Sequence, residues 1–400
     1  MNIFKKIYCR TFQMVFKLAL PFLPYREPKI LTKSKQVCET IIAYGKQNAM
    51  LVTDVGIKGL GLTKELEEEL KLHNIKFCVF DAVVPNPTTA NVESALESYK
   101  QNGCDCIIAF GGGSVMDCAK AMGARVVYPN KSLAKMKGVM RVKRKLPLFI
   151  AIPTTAGTGS ETTLAAVITN SETRHKYAIN SFPLIPHYAL LDASLTLGLP
   201  KGLTATTGMD ALTHAIEAYI GNSTTRLTRK CALDSVKLIF ENLETAYQNG
   251  QNFEARKNML FASYKAGVAF TRSYVGYVHA VAHSLGGKYN TPHGLANAVI
   301  LPIILKMYGK KIYKKLWQMG VYAGLFNKFV SKEQGAKMLI QKIEGMNNNM
   351  NIPSYIEGLK QEDITELSKT AEHEANPLYP VPVLWTVKEL EKIYYMLMRK

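Results

Sequence analysis

Between about residues 45 and 200 the chain alternates two kinds of segment, and this alternation restricts its fold more than any other feature. The runs AMLVTD (residues 49–54), KFCVFDAV (76–83), CDCIIAFGG (104–112), LFIAIPTT (148–155) and YALLDA (188–193) are short, apolar and closed by polar or small residues. That is the pattern of strands buried on both faces. TKELEEELKLHN (63–74) and TTANVESALESYKQN (88–102) lie between them and repeat apolar residues every three to four positions behind a capping residue. Strand and helix in alternation call for βαβ units, hence a mostly parallel sheet with helices on its faces. Ligands of such sheets bind beyond the carboxyl ends of the strands. After LGLPKGL (197–203) the period changes: TATTGMDALTHAIEAYI, TTRLTRKCALDSVKLIFENLETAYQN and FEARKNMLFASYKAGVAFTRS are all helical, and strand signals nearly vanish. The second half is therefore read as all-helical, with the boundary near residue 200.

Four hundred residues exceed one ordinary core, and 47% hydrophobic with 20% charged residues excludes wholesale disorder. Seven cysteines, an odd number without framework spacing, point to reduced thiols in a cytoplasmic protein. Cys104 and Cys106 share one face of a strand, but no second pair completes a zinc site, so both are read as structural. The formal charge of +19 comes from lysines spread along the chain, with no dense basic run interleaved with aromatics, so a cationic surface is preferred to nucleic-acid binding.

Residues 1–30 read as a basic amphipathic extension. Arg10 and Lys17 interrupt the apolar run, which excludes a secretory signal and a membrane span. At helical spacing Lys6, Arg10, Gln13 and Lys17 share one face, and Phe4, Tyr8, Phe12, Val15 and Ala19 another. Docking on the protein or on a partner subunit is the commoner outcome for such a helix; peripheral membrane contact through residues 1–25 is the minor alternative.

Two small-residue loops follow two of the strands. CIIAFGGGSVMDCAKAMGA (106–124) runs from strand through Gly111, Gly112, Gly113 and Ser114 into a helix bearing Asp117 and Lys120. Glycines at such a turn let backbone approach a phosphate, which the helix N-terminus favours. Taken alone the signal is weak, since Met116 stands where GxGxxG wants its third glycine. PTTAGTGSETT (153–163) adds the hydroxyls of Thr154, Thr155, Thr158, Ser160 and Thr163. Asp54, ending an early strand, suits the ribose hydroxyls of NAD and repels the 2′-phosphate of NADP. Asn86 sits between two prolines in a rigid turn, and Lys176 joins the residues assigned to the cofactor. Residues 31–200 are accordingly read as a dinucleotide-binding α/β domain with a Rossmann-like parallel sheet, binding NAD(H) in preference to NADP(H).

The histidines lie in the other half. Asp210 and His214 in GMDALTHAIEAY are four apart, so they stack on one helix face; His279 and His283 repeat that spacing, and His293 follows in TPHG. One carboxylate and several imidazoles from three segments suit iron or zinc and are too nitrogen-rich for magnesium or calcium. Residues 201–400 are read as a metal-binding helical domain.

These patterns resemble the iron-dependent, group III alcohol dehydrogenases. GGGSxxDxAK at 111–120, PTTAGTGSE at 153–161, DALTHAIE at 210–217, and HxxxH followed by NTPHG at 279–294 match that family's signatures in order. The resemblance implies the two-domain architecture of the dehydroquinate synthase-like superfamily. It implies Asp210, His214, His279 and His293 as metal ligands, with His283 beside the substrate as the catalytic candidate. The implied activity is reversible hydride transfer between a primary alcohol or aldehyde and NAD(P)(H), the metal (iron, or alternatively zinc) polarising the substrate oxygen. Polyol or glycerol dehydrogenase chemistry and a dehydroquinate synthase-like lyase are the alternatives within the superfamily; a metal-binding or membrane-surface protein without catalysis is the alternative outside it. Ala165 stands where some diol-using relatives carry a polar side chain, which speaks against a diol. A cytoplasmic homo-oligomer, most simply a dimer, is expected.

Overall fold

The computed structural model describes residues 3–173 and 175–399. Two units emerge, residues 24–197 and residues 3–23 with 198–399.

The first unit contains nine strands: β1 (Lys29–Leu31), β2 (Asn48–Val52), β3 (Lys76–Phe80), β4 (Cys106–Gly111), β5 (Gly138–Val139), β6 (Leu148–Pro153), β7 (Ala165–Thr169), β8 (Lys176–Asn180) and β9 (Tyr188–Leu190). Six form a sheet in the order β1-β9-β6-β4-β2-β3, every pairing parallel. All five apolar runs read from the sequence lie in it, and β4 and β6 are buried at every position. Their alternate side chains feed two separate cores, Ile107 and Phe149 on one face, Ile108 and Ile150 on the other. A run apolar at both parities is what a strand covered on both sides requires. β5, β7 and β8 make a second, three-stranded sheet.

The chain runs from β2 outward to β3, then crosses back over β2 to place β4 on its other side. This reversal is a topological switch point, where the loops leaving adjacent strands diverge and open a crevice at the carboxyl edge. Asp54 follows β2 there, and Gly111–Ser114 follow β4.

Lys120 fixes the loop after β6. It is fully buried on the Gly113–Val127 helix, and its ammonium donates to Ser160 O (2.7 Å), Ser160 Oγ (3.1 Å), Thr163 O (3.0 Å), Thr163 Oγ1 (2.8 Å) and Ala165 O (2.9 Å). Burial pulls its pKa down to about 8, against the opposing pull of Asp117 and Glu161.

In the second unit the helices Lys201–Ile220, Arg226–Gln248 and Phe253–Ser273 pack on one another. The starts of the last two are capped by Thr225, which accepts from Thr228 N, and Asn252, which accepts from Ala255 N. The helices Tyr277–Tyr289 and His293–Tyr308 pack together, and the second also lies against Lys201–Ile220. The Trp385 ring stacks between Tyr277 (4.9 Å) and Tyr308 (4.5 Å), tying both helices to the C-terminal segment.

The N-terminal helix Ile3–Ala19 also belongs to this unit, and it docks by the face the hydropathy pattern would turn outward. Cys9 and Gln13 are buried, whereas Phe4, Tyr8 and Val15 are exposed. Polar atoms explain the choice. Arg10 donates to the carbonyls of Val381 (2.8 Å) and Pro382 (3.0 Å), and Gln13 to that of Tyr379 (2.8 Å).

Replacing Lys120 by Met should cost about 2–4 kcal/mol, because it strands buried carbonyl and hydroxyl acceptors without a donor. Urea denaturation measures this; an unshifted midpoint would mean the loop does not depend on the ammonium.

Candidate functional site

The Lys201–Ile220 helix places Asp210, His214 and Glu217 on one face through spacings of four and three residues. All three are buried. His279 comes from Tyr277–Tyr289, and His293 opens His293–Tyr308. One ligating atom from each of Asp210, His214, His279 and His293 lies within 4.8 Å of the others. Asp210 Oδ1 stands 3.8 Å from His279 Nε2 and 3.5 Å from His293 Nε2. These separations are too long for hydrogen bonds. They suit the edges of a metal polyhedron, since bonds of about 2.1 Å in tetrahedral array put ligand atoms about 3.4 Å apart.

Hydrogen bonding fixes which ring nitrogen faces the centre. His279 Nδ1 lies 2.7 Å from Glu217 Oε2, and a carboxylate partner makes Nδ1 the protonated nitrogen. Nε2 then presents its lone pair inward. The Asn297 amide reports the same polarity: its Nδ2 lies 2.6 Å from Asp210 Oδ1, 3.0 Å from His293 Nε2 and 3.3 Å from His279 Nε2. An N–H donor shared among three acceptors marks a point where acceptors converge, and a divalent cation fits it. Burial raises the Asp210 carboxyl above its ordinary pKa, opposed by His214 and the Asn297 hydrogen bond. Burial pushes His279 well below the usual imidazole range, reinforced by His214, His293 and His283. His279 is thus neutral, as a ligand must be.

Glu217 orients this arrangement. Besides His279 it accepts from the backbone of Gly276 and Val278, both at 2.8 Å, and burial pushes its carboxyl up to about 7. A Cβ at Gly276 would fall 2.6 Å from Glu217 Oε1, so only glycine lets the backbone come this close.

His283 stands outside the four-residue group. Its ring stacks on His293 (centroids 5.1 Å apart), its side chain is 44% exposed, and Nδ1 lies 2.6 Å from Glu374 Oε1. Tyr379 donates its hydroxyl to the same oxygen at 2.6 Å. Burial works to raise the Glu374 carboxyl, but His283 and Tyr379 hold it below the ordinary range.

In the α/β unit the residues assigned to a cofactor fall into three groups and one outlier. Asn86, with φ of +55°, donates its N–H to Ser114 Oγ (3.3 Å) and accepts from Lys176 Nζ (2.6 Å). Thr155 and Thr158 face the glycine turn: a Cβ on Gly112 would lie 3.7 Å from Thr155, and one on Gly113 3.1 Å from Thr158. Thr154 N donates to Gly111 O (3.2 Å), which locks the two loops side by side. Asp117, Ser160 and Thr163 lie beneath them with Lys120; Ser160 Oγ donates to Asp117 Oδ1 (3.2 Å), and burial raises the Asp117 carboxyl to about 6. The outlier is Asp54, which N-caps the short helix Val55–Gly59 by accepting from Ile57 N (2.9 Å).

Glu217, Asn297, Glu374 and Tyr379 escaped the sequence reading. Glu217 lies seven residues after Asp210 on the same face and Asn297 four after His293, so helical spacing carried a signal for these two; nothing local distinguishes Glu374 or Tyr379.

Comparison with known proteins identifies the family. The family described as iron-containing alcohol dehydrogenase matches residues 29–193, and the C-terminal region of the Fe-containing alcohol dehydrogenase family matches residues 204–398. The 1,3-propanediol dehydrogenase of Citrobacter freundii is 35% identical over 384 residues, spanning 95% of this chain and 98% of the relative. The NAD-dependent methanol dehydrogenase of Bacillus methanolicus is 37% identical over 342 residues, spanning 84% and 89%. A crystal structure of 1,3-propanediol oxidoreductase superposes with a TM-score of 0.89 at 34% identity, covering 94% of this chain and 98% of that one. These matches place the protein among oxidoreductases that act on alcohols. The chain belongs to the iron-containing alcohol dehydrogenase family.

His279→Ala should lose divalent-metal binding, whereas His283→Ala should keep it, as read by equilibrium dialysis with Zn(II) or anaerobic Fe(II). Glu217→Gln should weaken the same affinity by about 10–100-fold, the usual effect of removing the partner that orients a ligand. Equal loss in the His279 and His283 variants would make His283 a ligand.

Proposed function

We propose that the protein interconverts a primary alcohol and its aldehyde by reversible hydride transfer to and from NAD(H), with Fe(II) held by Asp210, His214, His279 and His293 and Zn(II) as the alternative ion. The observation carrying this reading is the convergence of Asp210 Oδ1, His279 Nε2 and His293 Nε2 around one shared donor. A divalent ion at such a site lowers the pKa of a bound oxygen acid from about 16 towards about 7 and polarises a carbonyl in the reverse direction.

The chain's own groups supply the rest. Three neutral imidazoles and one carboxylate would leave a bound divalent ion with net positive charge, a stronger Lewis acid than an all-carboxylate site would give. His283 carries the hydroxyl proton towards solvent: Glu374, kept ionised, makes Nδ1 the donor nitrogen, so Nε2 is the nitrogen that takes up a proton. In the α/β unit the glycine turn, Ser114, Thr155 and Thr158 receive the pyrophosphate at the start of the Gly113–Val127 helix, with Asn86 and Lys176 beside them. Asp117, Ser160 and Thr163 shape that cradle through Lys120.

Reconstitution with Fe(II) or Zn(II) without oxygen, followed by a panel of alcohols and aldehydes with both nicotinamide cofactors, tests the reading. The panel includes methanol, longer primary alcohols and 1,3-propanediol. NADH formation dependent on alcohol and metal supports it; cofactor binding with no turnover across the panel overturns it.

Preference for NAD over NADP rests on Asp54 and on the NAD dependence named for the methanol dehydrogenase relative. Asp54 caps a helix with one oxygen, and a carboxylate has lone pairs on both, so capping and ribose recognition are compatible. Asp54→Asn keeps the cap and removes the charge. Repulsion of a 2′-phosphate a few ångströms away is worth about 1–4 kcal/mol, so the ratio of NADP to NAD efficiency should rise about tenfold or more. The kcat/KM values for the two cofactors check this; an unchanged ratio leaves Asp54 a capping residue only.

A further inference from the structure

The N-terminal helix Ile3–Ala19 and the single turn Leu20–Phe22 after it are docked by one narrow face. Cys9, Gln13 and Leu20 are buried, and the Phe16 ring meets Tyr274 edge-on at 5.0 Å. The opposite face is broad, largely apolar and exposed: Phe4 (78%), Ile7 and Tyr8 in its first half and Val15, Leu18 (67%) and Phe22 (87%) in its second are three to four positions apart within each half, with Thr11 between them. Exposed large side chains scattered singly need no explanation, but a row of them along a helix does. Docking uses Cys9, Arg10, Gln13 and Leu20, and nothing in the described residues of this chain covers the apolar face.

Charge indicates what does. Residues 1–26 carry Lys5, Lys6, Arg10, Lys17 and Arg26 and no acidic side chain; Lys5 pairs with Glu372, and Arg10 and Arg26 donate to main-chain carbonyls, which leaves Lys6 and Lys17 as the cations turned to solvent. Lys6 and Lys17 are exposed beside the apolar row, and Lys17 is close enough to Lys315 to act on its ammonium. A second copy docked face to face would set this anion-free stretch against itself. An anionic surface complements the exposed Lys6 and Lys17.

We infer that the exposed face of residues 3–22 is a docking surface for an anionic lipid bilayer, on which the helix lies in the interfacial plane. Its apolar side chains enter the boundary between headgroups and acyl chains, and Lys6 and Lys17 meet lipid phosphates. The attachment is peripheral: among the described residues no helix is long and apolar enough to cross a membrane.

The full chain, mixed with vesicles of phosphatidylcholine containing phosphatidylglycerol, should co-sediment with them. Pure phosphatidylcholine should bind it at least about tenfold less, and added salt should release it. The triple variant Phe4→Ser, Leu18→Ser, Phe22→Ser should lose binding by about tenfold or more, because these exposed side chains carry the insertion. Lys6→Glu with Lys17→Glu should lose the preference for the anionic vesicles. Melting temperatures should stay at the wild-type value, since every substituted side chain is exposed. Wild-type protein left in the supernatant with anionic vesicles overturns the proposal. So does a triple variant whose mass by analytical ultracentrifugation falls while vesicle binding is absent in both proteins, the signature of a contact between copies. Binding indifferent to lipid charge and salt also overturns it.

Discussion

A carboxylate removed from water and left uncompensated costs several kcal/mol, and the helical unit is arranged around one such group. Asp210 is buried beside a second buried carboxylate, Glu217, two helical turns along the same face. The unit tolerates them by surrounding them with donors: the Asn297 amide on Asp210, and the Gly276 and Val278 N–H groups and His279 Nδ1 on Glu217. The donors come from two stretches of chain, residues 276–279 and Asn297. Satisfying two anions therefore fixes the positions of the helices Tyr277–Tyr289 and His293–Tyr308 relative to Lys201–Ile220. The metal-binding geometry is a product of that compensation, and the cation it accepts removes the remaining electrostatic cost.

The α/β unit solves a related problem with the opposite sign. Lys120 is a buried cation, and it is neutralised mostly by dipoles: three carbonyls and two hydroxyls of the loop after β6. Desolvation lowers the Lys120 pKa and raises those of Asp117 and Glu161, so the three groups moderate one another. The loop so held is the one whose Thr155 and Thr158 roof the glycine turn. The phosphate recognition proposed for this turn would need backbone N–H groups that do not rearrange on binding, and a saturated ammonium beneath it supplies that rigidity.

The sheet was legible from composition because its strands are buried on both faces, so β2, β4 and β6 read as unbroken apolar runs. β1 and β5 were not, being three and two residues long, and β7 and β8 were not, since half-buried alternation over five residues is a weak pattern. Asp210, His214, His279 and His293 stood out because metal-type donors at helical spacing are uncommon in apolar surroundings. Glu374 and Tyr379 are recognisable only once folding brings them to His283, 91 and 96 positions earlier in the chain; a long-range pairing leaves no local trace. Asp54 shows another limit: a carboxylate at the end of a strand is equally suited to a ribose and to a helix cap. The N-terminal helix shows a third. Periodicity separated its two faces, but which one docks was decided by Arg10 and Gln13 finding main-chain carbonyls, a matter of partner geometry that hydropathy does not encode.

Those contacts are made to backbone. Arg10 and Gln13 grip the carbonyls of Tyr379, Val381 and Pro382, whatever side chains those residues bear. Substitutions at Val381 or Pro382 that preserve the local path leave the grip intact, so the segment is free to vary in sequence while its course is held. That course passes through Tyr379, whose hydroxyl holds Glu374 against His283. The N-terminal helix is thus a splint for the loop behind His283, the residue proposed to carry the proton, and trimming it from the protein would loosen a residue 283 positions into the chain.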